Sequence, residues 1–179
     1  GIGYDRWAAV FNLKQSVASY NYLVEHDITS MEQLEDRLEK ANAQVQESRM
    51  KLKEVEAALS EKKELRRNLL NYIGTKPARD GLKAQRSEKA RAAYREAHEG
   101  DFILAEAAAR YFKAHGITKL PSRKALQAEI AKLSAEKNAL YNDYREKKEQ
   151  ARELSAIRAN VEPVLPRTKP RQRNAEQEL

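Results

Sequence analysis

The sequence predicts an all-α protein built around a long antiparallel coiled-coil helical hairpin, with an N-terminal base helix and a small helical tip insertion. Two long heptad patterns lie towards opposite ends of the chain, and no alternating apolar run flanked by turn signals indicates a strand. Charged residues make up 34% of the 179 residues and aromatic residues 7%, with six Gly and five Pro. Residues that favour helices therefore predominate.

The first heptad pattern extends from Met31 to Ile73. One set of seam positions is Met31, Leu38, Val45, Leu52, Leu59, Arg66 and Ile73, and the other is Leu34, Ala41, Ser48, Val55, Lys62 and Leu69. At 1.5 Å per residue this helix would be roughly 65 Å long. Its apolar stripe therefore needs an equally long partner.

The second heptad pattern supplies that partner. One set of its seam positions is Leu126, Leu133, Leu140, Lys147, Leu154 and Val161, and the other is Ile130, Lys137, Tyr144, Ala151 and Arg158. The two helices can fold back on each other as an antiparallel hairpin, and a dimeric coiled coil using either seam alone is the alternative. Basic residues interrupt both seams, at Lys62, Arg66, Lys137 and Lys147. We expect them to weaken the pairing locally and to fix its register.

If the two long helices form this hairpin, residues 1–165 make up a single elongated helical domain. Its parts are a base helix at 4–26, a long helix at 30–73, a tip at 74–121 and a long helix at 122–162, and a disordered tail follows at 166–179. The base helix carries an apolar stripe of Trp7, Val10, Leu13, Val17, Tyr20 and Val24, with Phe11, Ala18 and Tyr22 beside it. We expect this stripe to cover the base of the hairpin as a local three-helix bundle, with Trp7 as a core residue rather than a base-stacking platform.

Capping residues mark the ends of the long helices. Ser30 and Gln33 have the spacing of a capping box, which predicts that the first long helix begins near Met31. Gly74 suits a left-handed position after the end of that helix, and Ser122 is the predicted cap of the last one.

The tip is predicted as an exposed loop followed by two short helices. Pro77 and Gly81 indicate the loop over residues 75–83, and a weakly apolar helix follows up to Ala97. Asp101 is the predicted cap of a helix over 102–115 that closes with Gly116 in a Schellman motif.

The net charge of +7 is concentrated in one stretch. From Lys62 to Arg95, three acidic residues accompany eleven basic ones. The eleven are the predicted nucleic-acid-binding residues: Lys62, Lys63, Arg66, Arg67, Lys76, Arg79, Lys83, Arg86, Lys89, Arg91 and Arg95. Cations along a helix end can neutralise phosphates with little sequence preference, and a solvated helical surface is the alternative. Tyr72 and Tyr94 could stack on unpaired bases, although helical spacing favours packing.

No pattern in the sequence indicates catalysis, a cofactor or a metal. The chain has no Cys, which excludes disulfides and a thiol nucleophile and fits a reducing cytoplasm. Its three His have no spacing that places two metal ligands on one helix face. No apolar run approaches the roughly 20 residues of a membrane span, so we expect no membrane contact.

Scattered short stretches of the sequence resemble the C-terminal region of bacterial relaxases, the mobilization nucleases of conjugative and mobilizable elements. They are Gly3-Tyr4-Asp5-Arg6-Trp7, Phe11-Asn12-Leu13-Lys14-Gln15, Asn71-Tyr72, Leu120-Pro121, Leu126-Gln127-Ala128-Glu129, Glu136-Lys137, Leu140-Tyr141, Tyr144-Arg145 and Ala159-Asn160-Val161. The resemblance covers nearly all of the chain except the tail. Since the chain begins at Gly1 rather than Met, we expect a fragment of a longer protein.

In relaxases, an N-terminal nicking domain uses a Tyr nucleophile and a His-hydrophobic-His metal motif, which this sequence lacks. The resemblance therefore implies a non-catalytic accessory domain in the bacterial cytoplasm. Such a domain would bind origin-of-transfer DNA through the basic tip. The alternative is an arm without DNA contact that binds the coupling protein or other transfer proteins, or that forms a homodimer.

Overall fold

The computed structural model describes residues 2–168, with side chains at residue 12 and from residue 14 onward. Within that range all of the regular structure is helical. The helices are α1 (Ile2–Glu25), α2 (Met31–Gly74), α3 (Lys76–Ala84), α4 (Glu88–Ala97), α5 (Glu99–Ala114) and α6 (Arg123–Val161). The predicted all-α fold with two long coiled-coil helices is thus confirmed.

The chain divides into two compact units. The terminal unit contains Gly1–Leu52 and Leu140–Leu179, and the middle unit contains Lys53–Ala139. Both long helices contribute one segment to each unit. In each unit, taken by itself, a segment of α2 packs against a segment of α6.

The terminal unit has its core where α1, α2 and α6 meet. The buried residues of this core are Leu23, Ile28, Met31, Leu34, Leu154 and Val161. Ser48 lies at a polar position of the seam, and its hydroxyl donates a 2.9 Å hydrogen bond to Asp143 of α6. Because the buried Ser48 hydroxyl has a hydrogen-bond partner on the facing helix, this polar residue is tolerated in the apolar seam.

The middle unit has a second core between α2 and α6. Its buried residues are Leu59, Leu69, Leu126 and Ile130, with Leu65 and Leu133 packed against them. Three polar contacts cross the seam: Lys62 to Glu129 at 2.8 Å, Arg66 to Gln127 at 3.2 Å and Lys137 to Glu56 at 3.8 Å.

These contacts show that the two helices run antiparallel. From Glu56 through Lys62 to Arg66 on α2, the contacting residue on α6 moves back from Lys137 through Glu129 to Gln127. Three of the four basic interruptions of the seams, Lys62, Arg66 and Lys137, therefore contact the facing helix. Lys147 does not cross the seam; it pairs within α6 with Asp143 at 3.0 Å.

Helix α1 packs on the other helices of the terminal unit, as predicted. Its contact face is formed by Ser19 and Leu23, which are 2% and 7% exposed. The amide of Asn160 on α6 donates a 3.1 Å hydrogen bond to the Ser19 hydroxyl. A three-helix arrangement is thus present in this unit.

The prediction of which α1 face makes that contact is wrong. Val17, Tyr20 and Val24 belong to the predicted apolar stripe, yet they are 51%, 66% and 59% exposed. A small hydroxyl and one leucine fit close to the neighbouring helices, and this leaves the larger apolar side chains in solvent. Trp7 lies outside the residues whose side chains are described.

The predicted N-terminal caps of the two long helices are confirmed. The Ser30 hydroxyl accepts a hydrogen bond from the Gln33 amide at 3.4 Å, and the Ser122 hydroxyl accepts one from the Ala125 amide at 3.2 Å. The Gln33 side chain reaches back to the Thr29 amide at 2.7 Å, one residue earlier than in a standard capping box.

The predicted loop over residues 75–83 is wrong, because these residues lie almost entirely within helix α3. Pro77 occupies the first turn, where a helix tolerates proline since that amide needs no intrahelical partner. Gly81 lies in the helix interior against the phenol of Tyr94. A Cβ at that position would collide with the phenol, so the close approach of α4 to α3 explains the glycine.

Two further predicted helix ends differ from the structure, and one is confirmed. Gly74 does not have a positive φ; it is the last residue of α2. Helix α5 begins at Glu99, before Asp101. The predicted Schellman motif is present: Gly116 has φ +65°, and the Ile117 amide donates to the Phe112 carbonyl at 2.8 Å.

The segment after α6 is held against the start of α2. The Met31 amide donates to the Pro166 carbonyl at 3.0 Å, and the Arg167 guanidinium donates to Glu35 at 2.7 Å. The predicted tail over 166–179 therefore begins with residues bonded to α2, while residues 169–179 lie outside the described part of the chain.

Neighbouring leucines in α2 provide a test of the middle-unit core. Leu69 is 1% exposed and Leu70 is 38% exposed. We expect Leu69→Ala to lower the free energy of unfolding by about 2–5 kcal/mol, because it leaves a cavity, and Leu70→Ala to lower it by less than about 1 kcal/mol. Urea denaturation followed by circular dichroism measures both. Equal destabilisation by the two changes would contradict the assignment of Leu69 to the core.

The contacts of Glu35 predict a pH dependence of stability. Hydrogen bonds from Arg167 and Arg158 hold the pKa of the Glu35 carboxyl below its ordinary value, although burial opposes them. Ionised Glu35 therefore stabilises the fold above the pKa of the unfolded carboxyl. That stabilisation disappears as the pH falls through the lowered pKa of the folded state.

We expect Glu35→Gln to be less stable than wild type near neutral pH by at most about 1 kcal/mol, because the ion pairs are partly exposed. The difference should shrink in the acidic range, as measured by urea denaturation across pH. Glu39→Gln is the control, because Glu39 is exposed and bonds to no described side chain. A difference that grows on acidification would refute the role of Glu35.

Candidate nucleic-acid interface

The middle unit carries the net charge of the whole chain. It contains 19 Lys and Arg against 12 Asp and Glu, a net of +7, whereas the terminal unit contains 15 of each. The charge excess between Lys62 and Arg95 is therefore a property of one compact unit. An anionic partner would be attracted to that unit.

Five of the eleven predicted residues form ion pairs with acidic side chains. The pairs are Lys62 with Glu129, Arg67 with Glu64, Lys76 with Asp80, Arg91 with Glu88 and Arg95 with Glu106. To bind a phosphate, each of these cations would have to share or exchange its carboxylate. They are therefore somewhat less suited to phosphate binding than unpaired cations, although such exposed pairs are weak.

The carboxyl of Asp80 illustrates this internal neutralisation. Its hydrogen bond from Lys76 is the main cause that holds the pKa of Asp80 below its ordinary value, and the charges of Lys83 and Arg79 add to it. Asp80 therefore remains ionised beside these basic residues and offsets part of their charge.

Arg79 has a structural role. Its guanidinium lies 3.6 Å from the centre of the Tyr72 ring and donates a 2.6 Å hydrogen bond to the Tyr72 carbonyl. The guanidinium thus caps the last turn of α2 and fastens α3 to it. Arg79 is half-buried in this position, and its charge faces the protein more than the solvent.

Three of the predicted residues form what we call the junction group, between α3 and α4. Lys83 lies in the last turn of α3, Arg86 in the connection and Lys89 in the first turn of α4. All three are exposed, and their side chains form no hydrogen bond or ion pair within residues 2–168, although Asp80 offsets part of the charge of Lys83. Their charges are available to an external anion.

A second set of cations, the seam-end group, lies where α2 and α6 meet in the middle unit. It consists of Lys63, Arg66, Arg123 and Lys124. Arg123 and Lys124 line a surface groove together with Gln127, and Arg66 donates its hydrogen bond to that same glutamine. Antiparallel pairing therefore brings the basic end of α2 to the basic start of α6.

The sequence interpretation missed Arg123 and Lys124 because it considered one continuous stretch of charge that ended at Arg95. The signal that could have found them is the heptad register. Once Arg66 is placed opposite Gln127, the residues one turn before Gln127 must lie beside the end of α2.

The two tyrosines considered for base stacking are packing residues by their contacts. Tyr72 meets Phe112 edge to face with ring centres 5.7 Å apart, and one of its faces is covered by Arg79. Tyr94 meets Phe102 edge to face at 6.4 Å. Both rings are half-buried and secure the short helices of the tip.

The three histidines share one arrangement that does not resemble a metal site. Each stacks on the tyrosine four residues earlier, with ring centres 4.1 Å apart for Tyr22 and His26, 4.3 Å for Tyr94 and His98, and 4.0 Å for Tyr111 and His115. Within residues 2–168, no group of three His, Asp or Glu is arranged to hold a metal ion. Each His–Tyr pair lies at or beside the C-terminal end of a helix.

None of the helices within residues 2–168 combines the length and the apolar character that a membrane span requires.

No protein-family model, curated protein or solved structure matches the chain. The relaxase resemblance accordingly remains a prediction from the sequence.

Arg79 and Arg86 allow a comparison between a structural and an available cation. We expect Arg79→Ala to lower the free energy of unfolding by about 1–3 kcal/mol, since it removes the contact with the Tyr72 ring and a charge-assisted hydrogen bond. Arg86→Ala should change it by less than about 0.5 kcal/mol. Urea denaturation measures both, and amide hydrogen exchange in α3 localises the effect. Equal stability of the two variants would show that the Arg79 contacts contribute little.

Proposed function

We propose that the chain is a non-catalytic accessory domain of a DNA-transfer relaxase, which binds DNA through the middle unit and assists plasmid or transposon mobilization in the bacterial cytoplasm. The observation that carries the proposal is the charge of the middle unit. This unit holds the whole net charge of +7, and several of its cations have no acidic partner among the described residues. The relaxase resemblance supplies the biological context.

Electrostatics favour nucleic acid as the anionic partner. A chain of regularly spaced phosphates can contact the junction group and the seam-end group at several points, and each contact releases a condensed counterion. Flexible Lys and Arg side chains on helix surfaces fix the position of a phosphate backbone, but they carry no information about base sequence. We therefore expect DNA binding that depends strongly on salt and weakly on sequence.

In this proposal the domain performs no chemistry of its own. The nicking reaction belongs to a catalytic domain with a Tyr nucleophile and a metal, neither of which we assign to this chain. The accessory domain would raise the local concentration of origin DNA at the relaxase by holding the phosphate backbone.

Exposed apolar residues of the middle unit favour a second candidate, an arm that binds the coupling protein or another transfer protein. Ile103 and Leu104 on α5 are 57% and 44% exposed, and Ile73 at the end of α2 is 46% exposed. Exposed aliphatic side chains on neighbouring positions of a helix are more typical of protein contacts than of DNA contacts. If the chain is such a protein-binding arm, we expect no DNA binding even at low salt. The double variant Ile103→Ser with Leu104→Ser should then disrupt binding to the partner protein.

A fluorescence-anisotropy titration over a range of salt concentrations tests the DNA proposal, with labelled duplex and single-stranded DNA as probes. The tip variant replaces Lys83, Arg86 and Lys89 with Gln. We expect log Kd to rise linearly with log salt for the wild type. The slope should fall in the tip variant by about 0.9 for each duplex phosphate that the protein no longer neutralises, or about 0.7 for single strands.

Two further variants make the result specific. The seam-end variant, Lys63→Gln with Arg123→Gln and Lys124→Gln, tests the second group. The matched control replaces Arg37, Arg49 and Lys148 of the terminal unit with Gln, which changes the net charge equally; all three are exposed, and their side chains form no hydrogen bond or ion pair with a described residue. No binding at low salt, or equal weakening of DNA binding in all three variants, would refute the DNA proposal.

A further inference from the structure

Helix α1 has two faces that differ in what they contact. Ser19 and Leu23 face the core of the terminal unit and are 2% and 7% exposed, whereas Val17, Tyr20 and Val24 are all more than half exposed. At 3.6 residues per turn, the three exposed residues share one face of the helix, about a third of a turn away from the buried pair. We call these three residues the α1 stripe.

No described residue buries this stripe. The heptad seams of α2 and α6 are occupied by each other in both units, so neither of them can accept the stripe as well. Large apolar side chains that continue along one helix face in this way are typical of an interface.

The spacing of the α1 stripe is that of a coiled coil rather than of a globular surface. Val17, Tyr20 and Val24 follow the three-and-four alternation of a heptad, and the sequence continues the same alternation upstream with Val10 and Leu13. The first set of positions holds only β-branched valine, and the second set holds Leu and Tyr. In parallel coiled coils, β-branched residues at the first set with Leu at the second favour two strands.

The charge pattern is compatible with a copy of the same chain as the partner. Between residues 10 and 24 the only charged residue is Lys14, so the stripe offers no charge that a different partner would have to match. An uncharged stripe is complementary to itself, and two copies would bring no like charges into contact except at Lys14. The terminal unit as a whole has equal numbers of acidic and basic residues, so its self-association meets no net repulsion.

We propose that the α1 stripe is a homodimer interface in which α1 of one copy pairs in parallel with α1 of a second copy. Val17 and Val24 of one chain contact Val17 and Val24 of the other, with Tyr20 between them. The contact is short for a coiled coil. It can nevertheless form, because α1 is already ordered by its packing on the terminal unit and pairing costs little further conformational entropy.

Self-association of the whole chain tests the proposal, measured by sedimentation equilibrium over a range of protein concentrations. We expect a concentration-dependent dimer for the wild type. Val17→Asp with Val24→Asp should weaken dimerisation at least about tenfold, since it would bury charges at the interface, while circular dichroism remains unchanged. Met50→Asp is the matched control, because Met50 is 60% exposed on α2 of the same unit.

Disulfide trapping tests the orientation of the two helices. Because the chain has no Cys of its own, any disulfide must form between the introduced cysteines. In a parallel pair, Val17→Cys and Val24→Cys should each crosslink to the same position of a second copy, because facing positions of the seam come within disulfide range. Ala18→Cys, exposed but beside the stripe, should not. A monomer at all concentrations, equal crosslinking at Ala18→Cys, or a preferred disulfide between Val17→Cys and Val24→Cys chains would overturn the proposal.

Discussion

The antiparallel seam between α2 and α6 is the constraint on which the rest of the structure depends. Neither long helix can leave its leucines in water, and each supplies the other's missing partner in both units. The buried Ser48 of the seam donates a hydrogen bond to Asp143, and Lys62 and Arg66 also contact polar side chains of α6. A shift of one helix along the other would leave these groups unpaired, so the polar contacts set the register while the leucines supply most of the stabilisation.

Pairing of the two long helices also determines where charge accumulates. Arg66 lies opposite Gln127 in the seam, and this places Arg123 and Lys124 beside the basic end of α2. Cations far apart in the sequence are thus brought to the same part of the middle unit. Internal ion pairs neutralise other cations of the same unit, and Arg79 is held against Tyr72. The cations left without a partner are therefore fewer than the charge count alone indicates, but they are grouped.

The sequence was sufficient for features that depend on local periodicity or on a single cap. The heptads located both long helices, and Ser30, Ser122 and Gly116 marked three helix ends correctly. It failed where a contact decides the outcome. Pro77 and Gly81 indicated a loop, but proline is tolerated in the first helical turn and the glycine admits Tyr94, so α3 forms. Periodicity located the apolar face of α1 but could not show which residues cover it.

For the candidate site, the eleven predicted cations were found from charge density. Which of them are free depends on tertiary partners that one sequence does not reveal.

The net charge and the α1 stripe belong to different units, and this placement is physically consistent with two different kinds of contact. The terminal unit is electrically neutral and exposes the α1 stripe, and the middle unit carries +7. Self-association through a strongly charged surface is opposed by like-charge repulsion, and DNA binding through a neutral surface gains no counterion release. Assigning dimerisation to the neutral unit and phosphate binding to the charged one avoids both costs. A dimer would carry two cationic units, so a long DNA could be bound at two places at once, with an affinity higher than either contact provides.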